Sequence, residues 1–222
     1  MNDSRVMAVA MAMFVLVFGV VLVCVDDAAE GAVGDTFAVT DEHGNNIGYV
    51  ITVDDDTSKE VHVKLTDEME ANIVTIPETV SYGGVQYTVT GVDYFRYSTV
   101  GTLTLPDTIK TIGYDAFWGT EFSGNLIIPG SVTSIEAYAF EDIEVTGNMS
   151  IGEPVPGETL SIASDAFYGA SITGTLSLPA GVGSLEDCDV FAGLTHGGLT
   201  MASSESSRYY LENGLFIEGG GG

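Results

Sequence analysis

The sequence predicts a mainly β repeat solenoid, in which short strands wind into stacked coils behind an N-terminal β-hairpin cap. Two observations carry this prediction. An apolar pattern recurs with a period of about 23 residues between residues 73 and 201, and a fixed period of this length is typical of solenoids. The segment 34–72 lacks this pattern and instead alternates apolar and polar residues, as the strands of a hairpin do. We therefore divide the chain into an N-terminal segment 1–31, a cap 34–72, a solenoid 73–201 and a tail 202–222.

The two clearest units begin at Leu103–Pro106 and Leu126–Pro129, which lie 23 residues apart. Alternate residues of an extended segment point the same way, so the first and third side chains of each stretch face inward. The proline lacks an N–H donor and ends the strand. A small and a large apolar residue then follow as Ala116-Phe117 and Ala139-Phe140. A unit of this size cannot fold alone, so we expect its apolar residues to be buried against the units on either side.

The period extends in both directions from these units. A third unit begins at Met149 and is 27 residues long, because the Pro- and Gly-rich stretch 152–159 adds a loop. A fourth unit begins at Leu176, a fifth begins at Leu199 and then loses the pattern, and an irregular first copy covers 73–77. The position of the Ala-Phe pair is filled in the other units by Tyr94-Phe95, Ala166-Phe167 and Val190-Phe191.

This pattern resembles the BspA-type leucine-rich repeat, in which Leu-x-Ile/Leu-Pro is followed by Val-x-x-Ile and then by Ala-Phe. The resemblance covers residues 73–201. Most repeats of that family carry Ile-Gly before Ala-Phe and a cysteine soon after it, whereas only Ile112-Gly113 keeps the glycine here and no repeat has the cysteine. Family members are largely surface proteins of bacteria, archaea and protists, and some resemble adhesins that bind host matrix proteins. The resemblance therefore implies a surface protein with a binding role.

Residues 6–25 form an unbroken apolar run of 20 residues, which is long enough to span a bilayer. Arg5 precedes the run and Asp26-Asp27 follows it, and this charge asymmetry favours an inner N-terminus and an exported body. Segment 1–31 is therefore predicted to be either a cleaved signal peptide or an uncleaved membrane anchor. We expect the body to be extracellular or on the cell surface, with a membrane contact through residues 6–25 if the segment is uncleaved.

Within the cap, residues 47–53 and 61–65 alternate as two strands, and Asp54–Ser58 between them is a turn. Such a hairpin can cover the open apolar end of a solenoid's first coil. Residues 80–89 predict a second hairpin, joined to the first coil. In the tail, Asn213-Gly214 predicts a further hairpin before a run of glycines. In the resembling family such a hairpin leads into more repeats, so we expect a fragment of a longer protein or a member that lost its distal part.

The formal net charge of −26 argues against nucleic acid as a partner, because 32 acidic residues against six basic ones repel a phosphate backbone. The acidity fits either the solubility of an exported protein or adaptation to high salt. Cys24 and Cys188 are the only cysteines, and Cys24 lies in the apolar run. A disulfide within the body is therefore not expected, and stacking of the coils must stabilise the fold.

Catalytic and metal sites are not predicted. The three histidines are His43 in a turn, His62 on a strand and His196 in a corner, and none is paired with a Ser or Cys nucleophile at a recognisable spacing. Asp54–Asp56 offers oxygens to a calcium ion, but the spacing is not that of a calcium loop, so we expect a solvated acidic turn. The sequence thus predicts neither an enzyme nor a bound cofactor.

Four aromatic residues at the corners of the repeat are the candidate ligand-binding residues. Trp118 and Tyr168 directly follow the buried phenylalanine of their units, and Tyr114 and Tyr138 fall just before it. Aromatic side chains exposed at a corner can anchor a ligand, or they can fill the space between neighbouring coils by lateral packing. Separately, Asn148-Met-Ser150 is a glycosylation sequon at a repeat corner.

Two functional hypotheses follow. The export segment, the repeats and the lack of catalytic groups favour a surface module that binds a surface or matrix protein or a glycan. The alternative is a passive spacer of the cell surface that has no specific ligand. The residues predicted to point outward from the strands are small and mostly hydroxyl-bearing, which suits lateral packing or a glycan better than a tight protein contact. They are Thr75, Thr104, Ile127, Ser150, Ser177 and Thr200.

Overall fold

The computed structural model describes residues 31–180, 182–185 and 189–201, and the regular elements of these residues are all β-strands. The predicted mainly β solenoid is confirmed, because strands from successive units pair in register as stacked coils. Within this described part, no helix is both long enough and apolar enough to cross a membrane. The predicted apolar run 6–25, Cys188 and the predicted tail hairpin lie outside the described residues.

Seventeen strands are present in the described residues. In chain order they are β1 (Thr36–Thr40), β2 (Asn46–Asp54), β3 (Lys59–Lys64), β4 (Glu70–Thr75), β5 (Thr79–Tyr82), β6 (Val85–Tyr94), β7 (Thr99–Thr104), β8 (Thr111–Ile112), β9 (Glu121–Phe122), β10 (Leu126–Ile128), β11 (Ser134–Ile135), β12 (Glu144–Val145), β13 (Met149–Ile151), β14 (Leu160–Ile162), β15 (Ser171–Leu178), β16 (Val182–Leu185) and β17 (Thr195–Met201).

The strands form two sheets, and each coil contributes to both. Sheet A has the order β1-β2-β3-β6-β8-β11-β14-β16, with β5 also paired to β6. Sheet B has the order β10-β13-β15-β12-β9-β7-β4, with β17 paired to β15 and β10 also paired to β7. The strands of successive coils are parallel, because the chain completes one turn of the solenoid before it returns to the same sheet.

The cap extends sheet A with antiparallel strands. β1 pairs with β2 and β2 with β3, and β3 then runs parallel to β6. The predicted turn at 54–58 lies between β2 and β3, and the predicted second hairpin is β5–β6, with Gly83 and Gly84 at φ of 57° and 81°. Strand β4 begins at Glu70, inside the segment 34–72, but it pairs with β7 in sheet B. The first coil therefore begins before the end of that segment.

A clasp formed by Asp41 and Asn45 fastens the β1–β2 hairpin to strand β4. Oδ1 of Asp41 accepts hydrogen bonds from the backbone N–H of His43 (2.9 Å) and of Asn45 (2.8 Å). Nδ2 of Asn45 donates both to Oδ2 of Asp41 (2.8 Å) and to the carbonyl of Ile73 (2.7 Å). Burial alone would raise the pKa of Asp41, but the hydrogen bonds outweigh it and hold this pKa below its ordinary value. The charged form of Asp41 therefore stabilises the joint between cap and coil.

Replacing Asp41 by asparagine is expected to cost about 1–2 kcal/mol of unfolding free energy at neutral pH, because a charged acceptor is lost. A carboxyl with a lowered folded-state pKa stabilises the fold above its unfolded-state pKa, and this stabilisation is lost as the pH falls through the folded-state pKa. Denaturant titrations over a pH series should thus show the wild type approaching Asp41→Asn on acidification. Glu42→Gln, at an exposed neighbour in the same turn, is the matched control. An equal cost of Asp41→Asn at every pH would contradict the clasp.

A column of phenylalanine rings forms the centre of the solenoid core. From Phe95 through Phe117, Phe140 and Phe167 to Phe191, the distances between successive ring centroids are 5.6, 5.3, 4.9 and 5.4 Å. All five side chains are buried. The predicted position of the large residue is therefore occupied in the irregular units as well as in the regular ones, and the rings join five successive coils.

The register of the inward-facing strand positions follows the period of the sequence. Residues in one column of sheet B face one another as Leu103 with Leu126, Leu126 with Met149, Met149 with Leu176, and Leu176 with Leu199. In the irregular first copy, Val74 is the buried partner of Leu103, whereas Ile73 is exposed. The inward face of this copy therefore begins at Val74, one residue later than the predicted start of the copy.

Candidate functional site

The candidate site is the corner of each coil around the buried phenylalanine. Two residues before the ring, Asp115, Tyr138 and Asp165 adopt the left-handed backbone conformation, with φ of 54°, 57° and 55°. Aspartate tolerates this conformation better than most residues, because its short polar side chain can form local hydrogen bonds. The turns thus position polar side chains at equivalent places in successive coils.

Backbone hydrogen bonds connect the corners of successive coils. The N–H of Phe117 donates to the carbonyl of Ala139 (2.8 Å), and the N–H of Gly119 donates to that of Glu141 (2.9 Å). The next coil repeats this pair of bonds at 2.7 and 2.8 Å. The side chains of the corner are therefore presented on a backbone with fixed spacing, which is the geometry that a repeated binding surface requires.

Near the N-terminal end of the solenoid, the corner holds an arginine close to two aromatic rings. The Arg96 guanidinium carbon lies 3.9 Å from the centre of the Tyr94 ring and 5.9 Å from that of Trp118. Its Nη1 lies 3.5 Å from Oδ2 of Asp115. Trp118 also packs on Tyr97 of the preceding coil, with ring centroids 5.2 Å apart. The cation is thus recognised by aromatic faces and a carboxylate together.

Farther along the solenoid, two tyrosines meet beside an aspartate. Tyr114 and Tyr138 make an edge-to-face contact with ring centroids 5.5 Å apart. The negative charge of Asp165, burial, and a hydrogen bond with the same carboxylate raise the pKa of Tyr138. The neutral phenol of Tyr138 is therefore held as a hydrogen-bond donor to Asp165.

The acidic residues of the corner interact with one another. Burial raises the pKa of Glu141, and the negative charges of Asp142, Asp115 and Asp165 raise it further. Burial also raises the pKa of Asp115, against the opposing effect of Arg96. The carboxylates of the corner therefore carry more negative charge than Arg96 balances.

The four aromatic residues predicted to bind a ligand combine packing with exposure. Trp118 and Tyr114 each pack against a tyrosine of a neighbouring coil, as the lateral-packing alternative expects. Tyr114 is nevertheless 56% exposed, and Tyr168 is 46% exposed. Trp118 and Tyr168 share one position of the repeat, but Glu141 of the intervening coil separates them.

Sequence reasoning missed Arg96, Tyr97 and the acidic members of the corner. Tyr97 is 47% exposed and has a φ of 54° at a position that most other coils fill with glycine. An alignment of the repeat units on their buried phenylalanine would have identified these residues. The position after the ring then reads Arg96, Trp118, Glu141, Tyr168 and Ala192.

The predicted outward column runs along sheet B. Ser150 lies opposite Ile127 on one side and Ser177 on the other, and Thr200 follows Ser177. Ile127 is 60% exposed, so the one large residue of the column is also outward-facing. This column is a second regular surface, separate in composition from the aromatic and acidic corner.

Asn148 of the sequon is exposed at the sheet B end of its coil. Its Oδ1 accepts a hydrogen bond from the backbone N–H of Thr175 (2.8 Å), and its own backbone N–H donates to Oδ1 of Asn125 (2.8 Å). The asparagine side chains thus carry hydrogen bonds between coils where the strands are interrupted. Modification of Asn148 stays a prediction.

The three histidines belong to separate elements of the described chain. Nδ1 of His62 lies 2.6 Å from Oδ1 of Asp93 on sheet A, and His43 lies in the turn between β1 and β2. His196 lies in strand β17, opposite Ile172, and not in a corner as predicted. The reason is that His196 occupies the position of Phe122 and Val145, which belong to β9 and β12 in the earlier coils, so this position is a strand in each of these coils.

The acidic turn at residues 54–56 uses its carboxylates within the cap. Asp54 pairs with Lys59 and accepts a hydrogen bond from the hydroxyl of Tyr87 (2.8 Å). Oδ1 of Asp55 accepts hydrogen bonds from the backbone and the hydroxyl of Thr57, at 2.7 Å each. In the described part of the chain, no group of three or more His, Cys, Asp or Glu residues is arranged to hold a metal ion.

The chain was compared with protein families and with solved structures. The family model described as BspA type leucine-rich repeat region matches residues 88–195 with six copies. The chain is also similar to the crystal structure of the pneumococcal vaccine antigen PcpA, with 18% identity over 78% of this chain and 51% of that chain and a TM-score of 0.48. This chain therefore spans about half of the length of that one. No curated protein matched the chain. The repeat region at residues 88–195 belongs to the BspA-type leucine-rich repeat family.

Proposed function

We propose that this repeat protein is a cell-surface module that binds a protein or glycan ligand through the corner that carries Tyr97, Tyr114 and Tyr168. The observation that carries the proposal is the exposure of these three rings on regularly stacked coils. The apolar run at residues 6–25, with its flanking charges, supports the surface location.

A rigid aromatic corner suits ligand binding for two physical reasons. Tyrosine and tryptophan offer large amphipathic contact areas with few rotatable bonds, so little side-chain entropy is lost on binding. The contacts of Tyr114 with Tyr138 and of Trp118 with Tyr97 order the side chains before a ligand arrives. Such preorganisation lowers the cost of forming a complex.

The second candidate function is a structural spacer of the cell surface. It is favoured by the outward column of sheet B, where Ser150 and Ser177 face one another in register. Small hydroxyl side chains allow close lateral approach of another chain without a specific pocket. A spacer would not require exposed aromatic rings at the corner, which is why we rank it second.

The test compares cells that express the full-length protein with cells that express Tyr114→Ala/Tyr168→Ala. We expect saturable binding of the wild type to an array of matrix proteins and glycans, and a loss of about 30-fold in affinity for the double variant, as for one hot spot of about 2 kcal/mol. Ile127→Ala is the matched control, because it truncates an exposed apolar residue on sheet B. Protease digestion of the body on intact cells would verify the surface location. Wild-type cells without saturable binding would instead favour the spacer.

A further inference from the structure

We infer that the corner recognises a basic polypeptide segment, whose arginine side chains stack on the exposed tyrosines and pair with the neighbouring carboxylates. This inference rests on the proposed function and narrows its ligand to one class.

The internal example is Arg96. The carbon of its guanidinium lies 3.9 Å from the Tyr94 ring centre and 5.9 Å from that of Trp118, and its Nη1 lies 3.5 Å from a carboxylate oxygen of Asp115. At this end of the corner, an arginine of the chain itself therefore occupies the space beside the aromatic rings and the carboxylate. Its planar guanidinium can stack on a ring and still donate in its own plane, which lysine cannot reproduce.

Beyond Arg96 and Lys110 the corner has rings and carboxylates but no cation of its own. The sequence from 111 to 207 contains neither lysine nor arginine. In this stretch Tyr138 is hydrogen-bonded to Asp165. The exposed Tyr168 directly follows the buried Phe167. The coils after Arg96 thus offer the same two kinds of group that surround its guanidinium.

The charge of these coils favours a cationic partner. Burial raises the pKa of Glu141, and the negative charges of Asp142, Asp115 and Asp165 raise it further. A guanidinium placed among these carboxylates would relieve the repulsion and gain attraction to each of them. The negative potential of these carboxylates would also accelerate association with a basic partner, and this acceleration would decrease as the ionic strength rises.

A basic polypeptide fits these groups better than a glycan does. A neutral sugar can stack on a tyrosine ring, but it does not reduce the repulsion among the carboxylates. A sulfated or phosphorylated ligand would add to that repulsion. A polypeptide with spaced arginines can reach several coils at once, because the corner repeats along the solenoid.

The experiment measures binding of synthetic peptides to the purified full-length chain. A peptide with three arginines separated by Gly-Ser spacers is compared with peptides that carry lysine, glutamine or glutamate in place of arginine. We expect the order arginine, lysine, glutamine, with no binding of the glutamate peptide and weaker binding at higher salt. Tyr168→Ala should weaken binding of the arginine peptide roughly two- to fivefold, the effect of one exposed cation–π contact, and Tyr168→Phe should retain it.

The variant Glu141→Gln tests whether a loss of peptide binding can occur without a loss of folding stability. Because the pKa of Glu141 is raised in the folded chain, stability is lost as the pH rises above the unfolded-state pKa, and removal of the charge should leave the melting temperature at pH 7 unchanged or higher. The same variant should weaken binding of the arginine peptide. Glu144→Gln removes one charge from an exposed position of β12 in the same coil and should affect binding less.

Each outcome decides the inference. Equal losses for Glu141→Gln and Glu144→Gln would indicate a nonspecific charge effect and overturn it. So would arginine-peptide binding that Tyr168→Ala leaves unchanged, or a preference for the glutamine peptide. If the array finds a ligand that the corner variants lose but the arginine peptide does not bind, the inference fails and the proposed function stands. If no ligand responds to any corner variant, both fail.

Discussion

Phe140→Ala is expected to lower the free energy of unfolding by about 3–5 kcal/mol, the usual cost of truncating a fully buried phenylalanine. The ring is 0% exposed and stacks between Phe117 and Phe167, at centroid distances of 5.3 and 4.9 Å. The variant therefore leaves a cavity between two coils as well as within its own. Neighbouring coils are too close-packed to fill such a cavity without strain.

The loss should spread beyond one coil, because the stability of a solenoid comes from the interfaces between its units. Thermal unfolding followed by circular dichroism should shift to lower temperature for the whole repeat region. Fluorescence of Trp118, the one tryptophan of the chain, reports on the preceding coil and should shift with it. Ile127→Ala, at an exposed position, is the control. A shift confined to a degree or two would mean that the phenylalanine column does not carry the core.

Gly147→Ala is expected to destabilise the chain by about 1–3 kcal/mol, the cost of overpacking. A Cβ at this position would lie 2.6 Å from the carbonyl oxygen of Gly124 and 2.5 Å from Oδ1 of Asn125. The first of these atoms belongs to the backbone of the coil below and cannot rotate away. Gly147 also donates its N–H to the same carbonyl (3.2 Å), so the contact that excludes a side chain is one that joins the coils.

The matched control for this variant is Gly198→Ala. A Cβ at Gly198 would meet only side-chain atoms of Thr175, the nearest at 3.3 Å, and that side chain can move. Denaturant titrations should therefore show a clear loss for Gly147→Ala and a small one for Gly198→Ala. Equal losses of stability would mean that the effect comes from replacing any strand glycine by alanine, and not from the close approach of the Gly124 backbone to Gly147.

The strands of sheet B end at different places in successive coils, although the repeat pattern of these coils is the same. The units begin at equivalent residues, yet β9 and β10 are separate strands, whereas β15 runs from Ser171 to Leu178 without a break. In the interrupted coils the side chain of Asn125 or Asn148 accepts the backbone N–H of the next coil. The period predicts the coil, but these side-chain hydrogen bonds decide where its strands end.

The first coil shows a limit of reading an apolar pattern. Ile73, Val74 and Ile76 are all apolar, so two registers of an inward face are compatible with the residues alone. Pairing of Val74 with Leu103 selects one of them and leaves Ile73 exposed. A shift of one residue reverses every side chain of a strand, and the observed register is the one that aligns Thr75 with Thr104, as the predicted outward column does.

The sequence by itself determined the solenoid, its period and the phenylalanine column, because a repeated apolar pattern has to be buried against copies of itself. It also identified Trp118 and Tyr168 as members of one repeat position. Only the tertiary structure decided which groups meet at the corner: Arg96 with Tyr94, and Glu141 with the carboxylates of adjoining coils. These partners depend on left-handed turns such as that of Asp115, and on the stacking of one coil on the next. Neither is encoded in residue spacing along a single unit.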